Sequence, residues 1–309
     1  MIISASRRTD IPAFYAEWFM KRIREGYLCV PNPMNARQIS VVDLNVDNVE
    51  LIVFWTKNPL PLLPYLKELT ERGHKYYFQF TVNNYPRVFE PNLPKINAII
   101  DTFQELANKI GKEKVIWRYD PILISSVTDV NYHFKNINYL LERLAPYTHH
   151  ITTSIYDNYR GSTNRLKRLE KHGVVLPPSE QTLVDSLEVL RYLAEEAKRY
   201  QLQVFSCAEK EEILRGLDII KGKCIDPDYI GQVFNLDINV PKDPSQREDC
   251  GCILSKDIGS YDTCLHGCSY CYATRSFKLA QENHQKHSSE NNGLLAQYPL
   301  PKKQQGTLF

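Results

Sequence analysis

The sequence predicts an α/β fold with a parallel sheet, most simply a full or partial (β/α) barrel. Strand-like and helix-like segments alternate about six times along the chain, as they do in proteins with parallel sheets. The connections between successive strands are long and lack the short turns that hairpins use. The 309 residues, 43% hydrophobic and 24% charged, suit a folded protein with one barrel-sized domain.

Six short segments are rich in apolar, β-branched and aromatic residues, a composition typical of buried strands. Leu51–Trp55 is the clearest, because it is a continuous apolar run that Asn58-Pro59 ends. Lys114–Tyr119 stops in the same way at Asp120-Pro121. The predicted strands are Ile2–Ser6, Leu51–Trp55, Tyr76–Val82, Lys114–Tyr119, Ile151–Tyr156 and Gln203–Ser206.

Between these strands, apolar residues recur at helical spacing. The first apolar stripe runs from Phe14 through Trp18 to Ile23. Gly73 ends the helix predicted at Leu62–Arg72, and Gly111 ends the one at Ile96–Ile110. The remaining predicted helices are Leu62–Arg72, Ile96–Ile110, Tyr132–Leu144, Arg165–His172 and Glu180–Tyr200.

Polar residues follow the predicted strands, at the end of a parallel barrel where active sites lie. Loops are polar in any protein, but that alone does not explain several arginines and a lysine at one mouth. The sequence therefore predicts a charged site there. The residues concerned are Arg7, Arg8, Thr9, Asp10, Thr56, Lys57, Asn58, Asn83, Asn84, Arg118, Asp120, Tyr156, Asp157, Cys207 and Glu209.

Five of the eight cysteines fall within 22 residues, which core packing does not explain. Cys264, Cys268 and Cys271 form a C-x3-C-x2-C pattern. Three thiolates this close can each bind one iron of a 4Fe–4S cluster and leave the fourth iron open. Zinc is the alternative, but a structural zinc site needs four ligands, and His266 lies inside the first gap.

Four further cysteines could form an auxiliary metal site. Cys250 and Cys252 lead into the three-cysteine loop, Cys207 ends a predicted strand, and Cys224 follows Gly222-Lys223. Four thiolates could hold a second 4Fe–4S cluster or a zinc ion. Alternatively, Cys207 and Cys224 are small core residues and the other two shape a turn. Cys29 is left over and is expected to be structural.

The segment Asp257–Ala273 resembles the cluster loop of radical S-adenosylmethionine (SAM) enzymes, particularly the spore-photoproduct-lyase-like branch. In that superfamily the loop follows the first strand, whereas here it lies near the carboxyl terminus. The preceding chain is similar to the same branch in rotated order, at Ser6–Trp18, Phe54–Asn58, Phe80–Val82 with Glu90-Pro91, and Val115–Ile122. The chain thus resembles a circularly permuted radical SAM barrel, and its Ser6–Asp10 opening resembles the family DUF1848.

This resemblance implies that Cys264, Cys268 and Cys271 bind a 4Fe–4S cluster that reductively cleaves SAM. It implies that Lys57, in the Thr-Lys pair of this branch, binds the SAM carboxylate. Ser6, Thr9 and Asp10 become candidates for the SAM amino group, since the glycine-rich motif of the superfamily is absent.

Arg118 is expected to face SAM or an anionic substrate, or alternatively to pair with Asp120 or Asp157. The expected function is hydrogen abstraction from an unknown substrate, with DNA or a nucleotide the leading candidate and a flavodoxin or ferredoxin as electron donor. The alternatives are a non-catalytic zinc-binding barrel and a hydrolase whose arginines bind phosphate.

The net charge of +2 excludes a strongly basic nucleic-acid coat protein. No apolar run approaches the roughly 18–20 residues that span a bilayer, and the start lacks a signal-peptide pattern, so we expect a cytoplasmic protein that does not bind membranes. We expect a barrel over residues 1–281, including the cysteine-rich segment 250–272, and a flexible polar tail over 282–309. Gln305–Phe309 resembles peptides that bind DNA sliding clamps.

Overall fold

The computed structural model of the chain describes residues 1–300, with the side chains of Ala36 and Arg160 left aside. Its strands are β1 (Ile2–Ala5), β2 (Tyr27–Asn32), β3 (Asn35–Asp43), β4 (Leu51–Thr56), β5 (Tyr76–Thr81), β6 (Val115–Ile122), β7 (His150–Ile155), β8 (Gln203–Cys207), β9 (Ile220–Gly222) and β10 (Lys256–Asp257). Eight of them form one sheet in the order β10-β1-β4-β5-β6-β7-β8-β9, and every neighbouring pair is parallel. The predicted α/β class with a parallel sheet is confirmed.

The sheet ends at β9 on one side and at β10 on the other. Within residues 1–300 these two strands each pair with one neighbour only, so closure into a complete barrel is not shown. Strand β10 joins the sheet through the pairs Ile3–Lys256 and Ser4–Asp257. The chain that leads into the three-cysteine loop therefore lies directly beside the first strand.

Helices form most of the connections between the strands. They are α1 (Ile11–Phe14), α2 (Ala16–Glu25), α3 (Leu66–Glu71), α4 (Ile96–Ile110), α5 (Val130–Leu144), α6 (Arg160–Arg168), α7 (Ser179–Arg199), α8 (Glu211–Leu214), α9 (Pro227–Phe234) and α10 (Phe277–Lys286). The predicted bounds of α4 match, because Gly111 follows it with a positive φ of 92° that ends the helix. Helix α5 starts at Asp129, whose carboxylate accepts a 2.8 Å hydrogen bond from the Tyr132 amide.

Two local features differ from the sequence prediction. Strands β2 and β3 form an antiparallel hairpin that the sequence analysis missed. Its turn at Pro33-Met34 lacks the Asn-Gly or Asp-Gly pair that usually marks a hairpin. Strand β6 continues through Asp120-Pro121 instead of ending at Tyr119, and the register with β7 shifts between Tyr119 and Ile122. This irregularity accommodates a proline, which has no N–H to donate to the sheet.

Aromatic side chains of the central strands form the core between sheet and helices. Phe54 of β4 stacks on Phe78 of β5 at 4.8 Å between ring centroids, and Phe19 of α2 meets Phe54 edge-on. Trp117 of β6 is fully buried. Burying one such large apolar side chain stabilises the protein by about 1.5–3 kcal/mol, so these residues contribute strongly to stability.

Residues 282–300 pack against the domain, whereas the sequence analysis expected a flexible tail from residue 282. Trp18 donates its indole N–H to the Asn291 carbonyl at 2.9 Å, and the Cys29 amide donates to the Asn292 carbonyl at 2.8 Å. Leu294 is buried in the main core. The polar composition was misleading, because this segment attaches through backbone carbonyls and also through polar side chains, such as His287, which packs edge-on against Tyr15 and Trp18. The sliding-clamp motif Gln305–Phe309 lies outside the described residues.

None of the helices within residues 1–300 has both the length and the apolar character that crossing a bilayer requires.

Candidate functional site

A cavity of about 550 Å³ opens at the carboxyl ends of the strands. Its volume is in the range of small-molecule and cofactor sites, about 300–1,000 Å³. Seven of the eight cysteines line it, namely Cys207, Cys224, Cys250, Cys252, Cys264, Cys268 and Cys271. Both groups of cysteines that the sequence singled out therefore meet at one cavity.

Most of the predicted charged mouth also lines this cavity. The residues that do so are Arg7, Arg8, Thr9, Asp10, Thr56, Lys57, Arg118, Asp120, Tyr156 and Asp157, together with Ser6. Asn58, Asn83, Asn84 and Glu209 are not among its lining residues. Asn83 instead binds the Asp120 backbone and Glu209 accepts from the Ile155 amide, so these side chains hold loops in place.

The three-cysteine loop has no regular structure, and side chains from other elements hold its backbone. Asn92 donates to the Leu265 carbonyl at 2.8 Å, and Arg165 of α6 donates to the carbonyls of Ser269 (3.1 Å) and Cys271. Gly267 has a φ of +72°, and a Cβ there would lie 3.0 Å from the Asn92 amide nitrogen. The loop conformation is therefore built by long-range contacts rather than by local propensity.

Asp262 fixes the start of the loop. Its buried carboxylate accepts from the Arg275 backbone and from the Arg275 guanidinium at 2.8 Å. The Thr263 carbonyl accepts a 2.7 Å hydrogen bond from the hydroxyl of Tyr15, which is buried between α1 and α2. Cys264 follows directly, so these contacts fix the chain that leads into it.

Asp10 connects the loop to two other elements. Its carboxylate caps α1 through the Ala13 amide at 3.0 Å and accepts from the Lys57 backbone amide at 2.7 Å. The same Oδ2 lies 2.7 Å from Nε2 of His266. Asp10 is buried and both its oxygens already have partners within the chain. It is therefore placed as a positioning residue for the loop.

Lys57 reaches the cavity beside Cys268. Its Nζ lies 2.8 Å from Glu90 Oε1, which also accepts from the Tyr270 hydroxyl. Burial disfavours the ammonium, but the charges of Glu90 and Cys268 outweigh this effect and raise the Lys57 pKa. Burial likewise raises the pKa of the Cys268 thiol, while Lys57 opposes the shift. The geometry supplies a fixed cation next to a candidate iron ligand.

Arg118 is buried and contacts three different groups. It pairs with Asp120, as one sequence alternative proposed, and it donates to Gln79 Oε1 at 3.1 Å. Its Nη1 also lies 3.0 Å from the Cys224 Sγ. Asp157, the other candidate partner, pairs with Arg247 instead.

Three buried polar atoms at the cavity have no hydrogen-bond partner within the described chain: Arg7 Nη2, Thr9 Oγ1 and His266 Nδ1. Ser6 differs from them, because its hydroxyl donates to Asp257 Oδ1 at 2.6 Å and accepts from the Arg8 amide. An unpaired buried polar group is unfavourable by about 1–3 kcal/mol, so such atoms mark where a polar ligand fits.

The sequence analysis did not single out Arg165, Arg247 or the supporting role of Asp257. Asp257 ends β10 and accepts from the Arg7 amide at 2.8 Å, which joins the opening segment to the cysteine-rich one. Arg165 was predicted to lie within a helix, and no motif around it pointed to a role at the site. Arg247 precedes Cys250 by three residues, and that proximity was the only available clue.

A family model described as "Domain of unknown function (DUF1848)" matches residues 2–273. The chain belongs to this family. The match spans the sheet, the cavity and the whole three-cysteine loop of this DUF1848 protein, and the family description assigns no activity. No curated protein matches the chain.

Solved structures give weak similarities only. A hydroxysteroid dehydrogenase from Escherichia coli is 10% identical, with 67% of this chain and 69% of that chain covered and a TM-score of 0.26. A metagenomic short-chain oxidoreductase in complex with NADP is 12% identical, with coverages of 83% and 96% and a TM-score of 0.27. Scores this low carry no argument about this DUF1848 protein.

Proposed function

We propose that this DUF1848 protein is a radical SAM enzyme whose loop cysteines hold a 4Fe–4S cluster. One observation carries the proposal: Cys264, Cys268 and Cys271 line the same cavity as Lys57 and three unpartnered buried polar atoms. Cysteine ligands, a cation and free polar groups are what a cluster with a bound amino-acid cosubstrate requires.

The sheet order supports a circularly permuted barrel of the radical SAM type. Strand β10 lies beside β1, and the cysteine loop follows β10 at the carboxyl end of the sheet. In a permuted barrel, the strand before the cluster loop keeps its neighbour although it comes last in sequence. Cutting one loop and joining another preserves the strand contacts, so permutation is physically tolerated.

The loop thiols fit a cluster better than a single ion. Within the described chain the three thiols make no hydrogen bonds to one another; Cys268 is buried, and Cys264 and Cys271 are partly exposed. Cluster ligands bind different irons and so are held apart. Only three thiols belong to this loop, which leaves one iron for the cosubstrate. Bound together, the cluster and SAM supply reductive SAM cleavage and hydrogen-atom abstraction from a substrate.

The residues around the loop suit the polar end of SAM. Lys57 would bind its carboxylate and would share its charge with Glu90, with which it pairs. Thr9 Oγ1 and His266 Nδ1 are free to bind the amino group or bridge to it, whereas Ser6 and Asp10 already have partners. Arg118 borders the same space, on the side of the other cysteines.

The cavity rim suits a nucleotide or DNA substrate. Tyr159, Tyr261 and Tyr272 line the cavity with rings that are more than one-third exposed, and Arg8 lies 5.3 Å over the Tyr261 ring. Arg247 is half-exposed at the same rim. Aromatic faces bind bases and arginines bind phosphates, which supports the proposed substrate class. An electron donor of the flavodoxin or ferredoxin type would reduce the cluster.

The test is anaerobic reconstitution with iron and sulfide, followed by dithionite and SAM. We expect a brown protein that forms 5′-deoxyadenosine, and a Cys268→Ala variant that does not form it. Cys29→Ala is the matched control, because Cys29 is a buried cysteine on β2 that does not line the cavity. Colourless wild-type protein that binds zinc and leaves SAM intact would refute the proposal and favour a non-catalytic zinc-binding module.

A further inference from the structure

The other four cavity cysteines come together from three separate parts of the chain. Cys207 is the last residue of β8, and Cys224 follows β9, the strand paired with β8. Cys250 and Cys252 lie on the loop that leads to β10. We call Cys207, Cys224, Cys250 and Cys252 the thiol quartet.

Thiols of the quartet lie near one another. The Sγ atoms of Cys207 and Cys224 are 3.1 Å apart. Cys224, Cys250 and Cys252 belong to one buried cluster, and Cys207 packs against it. Within residues 1–300, no three His, Cys, Asp or Glu side chains already converge around one point as the ligands of a bound ion do. The quartet is therefore a group of neighbouring thiols whose side chains must turn toward one another to enclose an ion.

The backbone of the quartet is held in place by buried polar contacts. The Cys224 carbonyl accepts hydrogen bonds from the Tyr77 hydroxyl at 2.7 Å and from the Gln79 amide at 2.8 Å. The Ile253 amide donates to the Ile225 carbonyl at 3.2 Å, which joins the two cysteine segments directly. Two side chains of β5 thus hold the backbone that positions the Cys224 thiol.

Two arginines face the quartet from the cavity. Arg118 Nη1 lies 3.0 Å from the Cys224 Sγ, and Arg118 is buried. The Arg7 guanidinium is also near enough to interact electrostatically with Cys252 and Cys224. Hydrogen bonds to ligand sulfurs and nearby cations favour the thiolate form that metals require. Cysteines that only fill the core, which is the alternative that the sequence analysis left open, would not need nearby cations.

We propose that the thiol quartet binds one zinc ion in a tetrahedral site. Sulfurs that share one zinc lie about 3.8 Å apart, as follows from Zn–S bonds of about 2.3 Å. The sulfurs of Cys207 and Cys224, 3.1 Å apart, are nearer to this spacing than the sulfurs of cluster ligands are. Cluster ligands are further apart, because each binds a different iron.

The position of the site indicates a structural role. Zinc would tie the end of β8 and the segment after β9 to the Cys250–Cys252 turn, just before β10 and the cysteine loop. A tetrathiolate zinc is a closed site and contributes directly to folding. The inference does not depend on SAM chemistry.

The test measures metal content of the full chain in a variant with Cys264, Cys268 and Cys271 all changed to Ser. We expect about one zinc per chain in this variant and no iron–sulfur chromophore. Replacing that zinc with Co²⁺ should give the thiolate charge-transfer and tetrahedral d–d bands of a tetrathiolate. The double variant Cys224→Ser with Cys252→Ser should lose the zinc and these bands, while Cys29→Ser keeps both.

Several results would overturn the assignment. They are a triple variant free of zinc, zinc that persists in the double variant, and iron with sulfide in place of zinc. Circular dichroism of each variant shows whether it folds. If the double variant does not fold, the single variant Cys207→Ser still tests the site, because it changes the partly exposed quartet cysteine and should alter the Co²⁺ spectrum. Failure of SAM cleavage leaves this result unaffected, because zinc is measured without the loop cysteines.

Discussion

The cysteine loop and the thiol quartet line one cavity, yet their sulfurs are arranged differently. The loop takes its three cysteines from one short stretch of sequence and keeps their thiols out of hydrogen-bonding contact with one another within the described chain. The quartet takes its cysteines from three separate segments and packs them in one cluster, where the sulfurs of Cys207 and Cys224 are 3.1 Å apart. The cysteines that are close in sequence thus have separated thiols, and those that are far apart in sequence lie together in space.

This difference indicates what each group can bind. Separated thiols suit a cluster of several irons, and contacting thiols suit a single ion. It also shows that the two groups are stabilised separately, the loop by contacts to Asp10, Asn92 and Arg165, and the quartet by β5 and Arg118. Changes that affect one group and spare the other test the comparison.

The largest expected effect is that of Asp10→Ala. It removes the α1 cap, the partner of His266 and the acceptor for the Lys57 amide. We expect a loss of stability of about 2–4 kcal/mol, since several buried groups lose their partners together. Thermal unfolding of the reconstituted protein measures it, and iron retention should fall while zinc content does not. Equal loss of both metals would show that the two groups are not independent.

Arg165→Ala should have the next largest effect. It removes the hydrogen bonds to the carbonyls of Ser269 and Cys271, with a loss of about 1–3 kcal/mol for acceptors that bind a charged donor. We expect faster bleaching of the cluster in air and unchanged zinc. The control is Arg168→Ala on the exposed side of the same helix. Wild-type bleaching rates in Arg165→Ala would mean that the loop holds its own shape.

A pair of glycine substitutions compares the two regions directly. Gly267→Ala forces an alanine into a φ of +72° and places its Cβ 3.1 Å from the Pro91 ring, so we expect a loss of about 1–2 kcal/mol. Gly251→Ala, between two quartet cysteines, has no positive φ to oppose it, but its Cβ would lie 2.9 Å from the Lys223 Cγ, so the Lys223 side chain must shift. Its expected effect is smaller, about 0.5–1 kcal/mol for an off-rotamer side chain. Denaturant unfolding of both variants checks the order, and a reversed order contradicts the account of loop strain.

Tyr272→Phe should have a small effect on stability. The Tyr272 hydroxyl donates to the Arg7 carbonyl at 2.9 Å at the exposed rim. Loss of one such bond is expected to destabilise the protein by about 0.5–1.5 kcal/mol. Because the ring remains, binding of a nucleotide probe should persist in Tyr272→Phe and weaken in Tyr272→Ala. Equal binding by both variants would remove Tyr272 from the proposed substrate rim.

Much of the fold was predictable because it depends on local patterns. The strand at Leu51–Trp55 was found because burial on both faces gives a continuous apolar run. The helix Ile96–Ile110 was found because burial of one face gives apolar residues at every third or fourth position. The β2–β3 hairpin and the packing of residues 282–300 were missed. The first uses an unusual turn, and the second attaches through backbone groups that any sequence can supply.

The amino-acid sequence alone determined the parallel α/β class, the family and the short spacing of Cys264, Cys268 and Cys271. Only the tertiary structure decided that Cys207 and Cys224 meet the Cys250–Cys252 turn, and that Asp10 supports the loop. The physical reason is range. Strand and helix patterns arise from neighbours along the chain, whereas the meeting of distant thiols depends on which strands pair at the edge of the sheet.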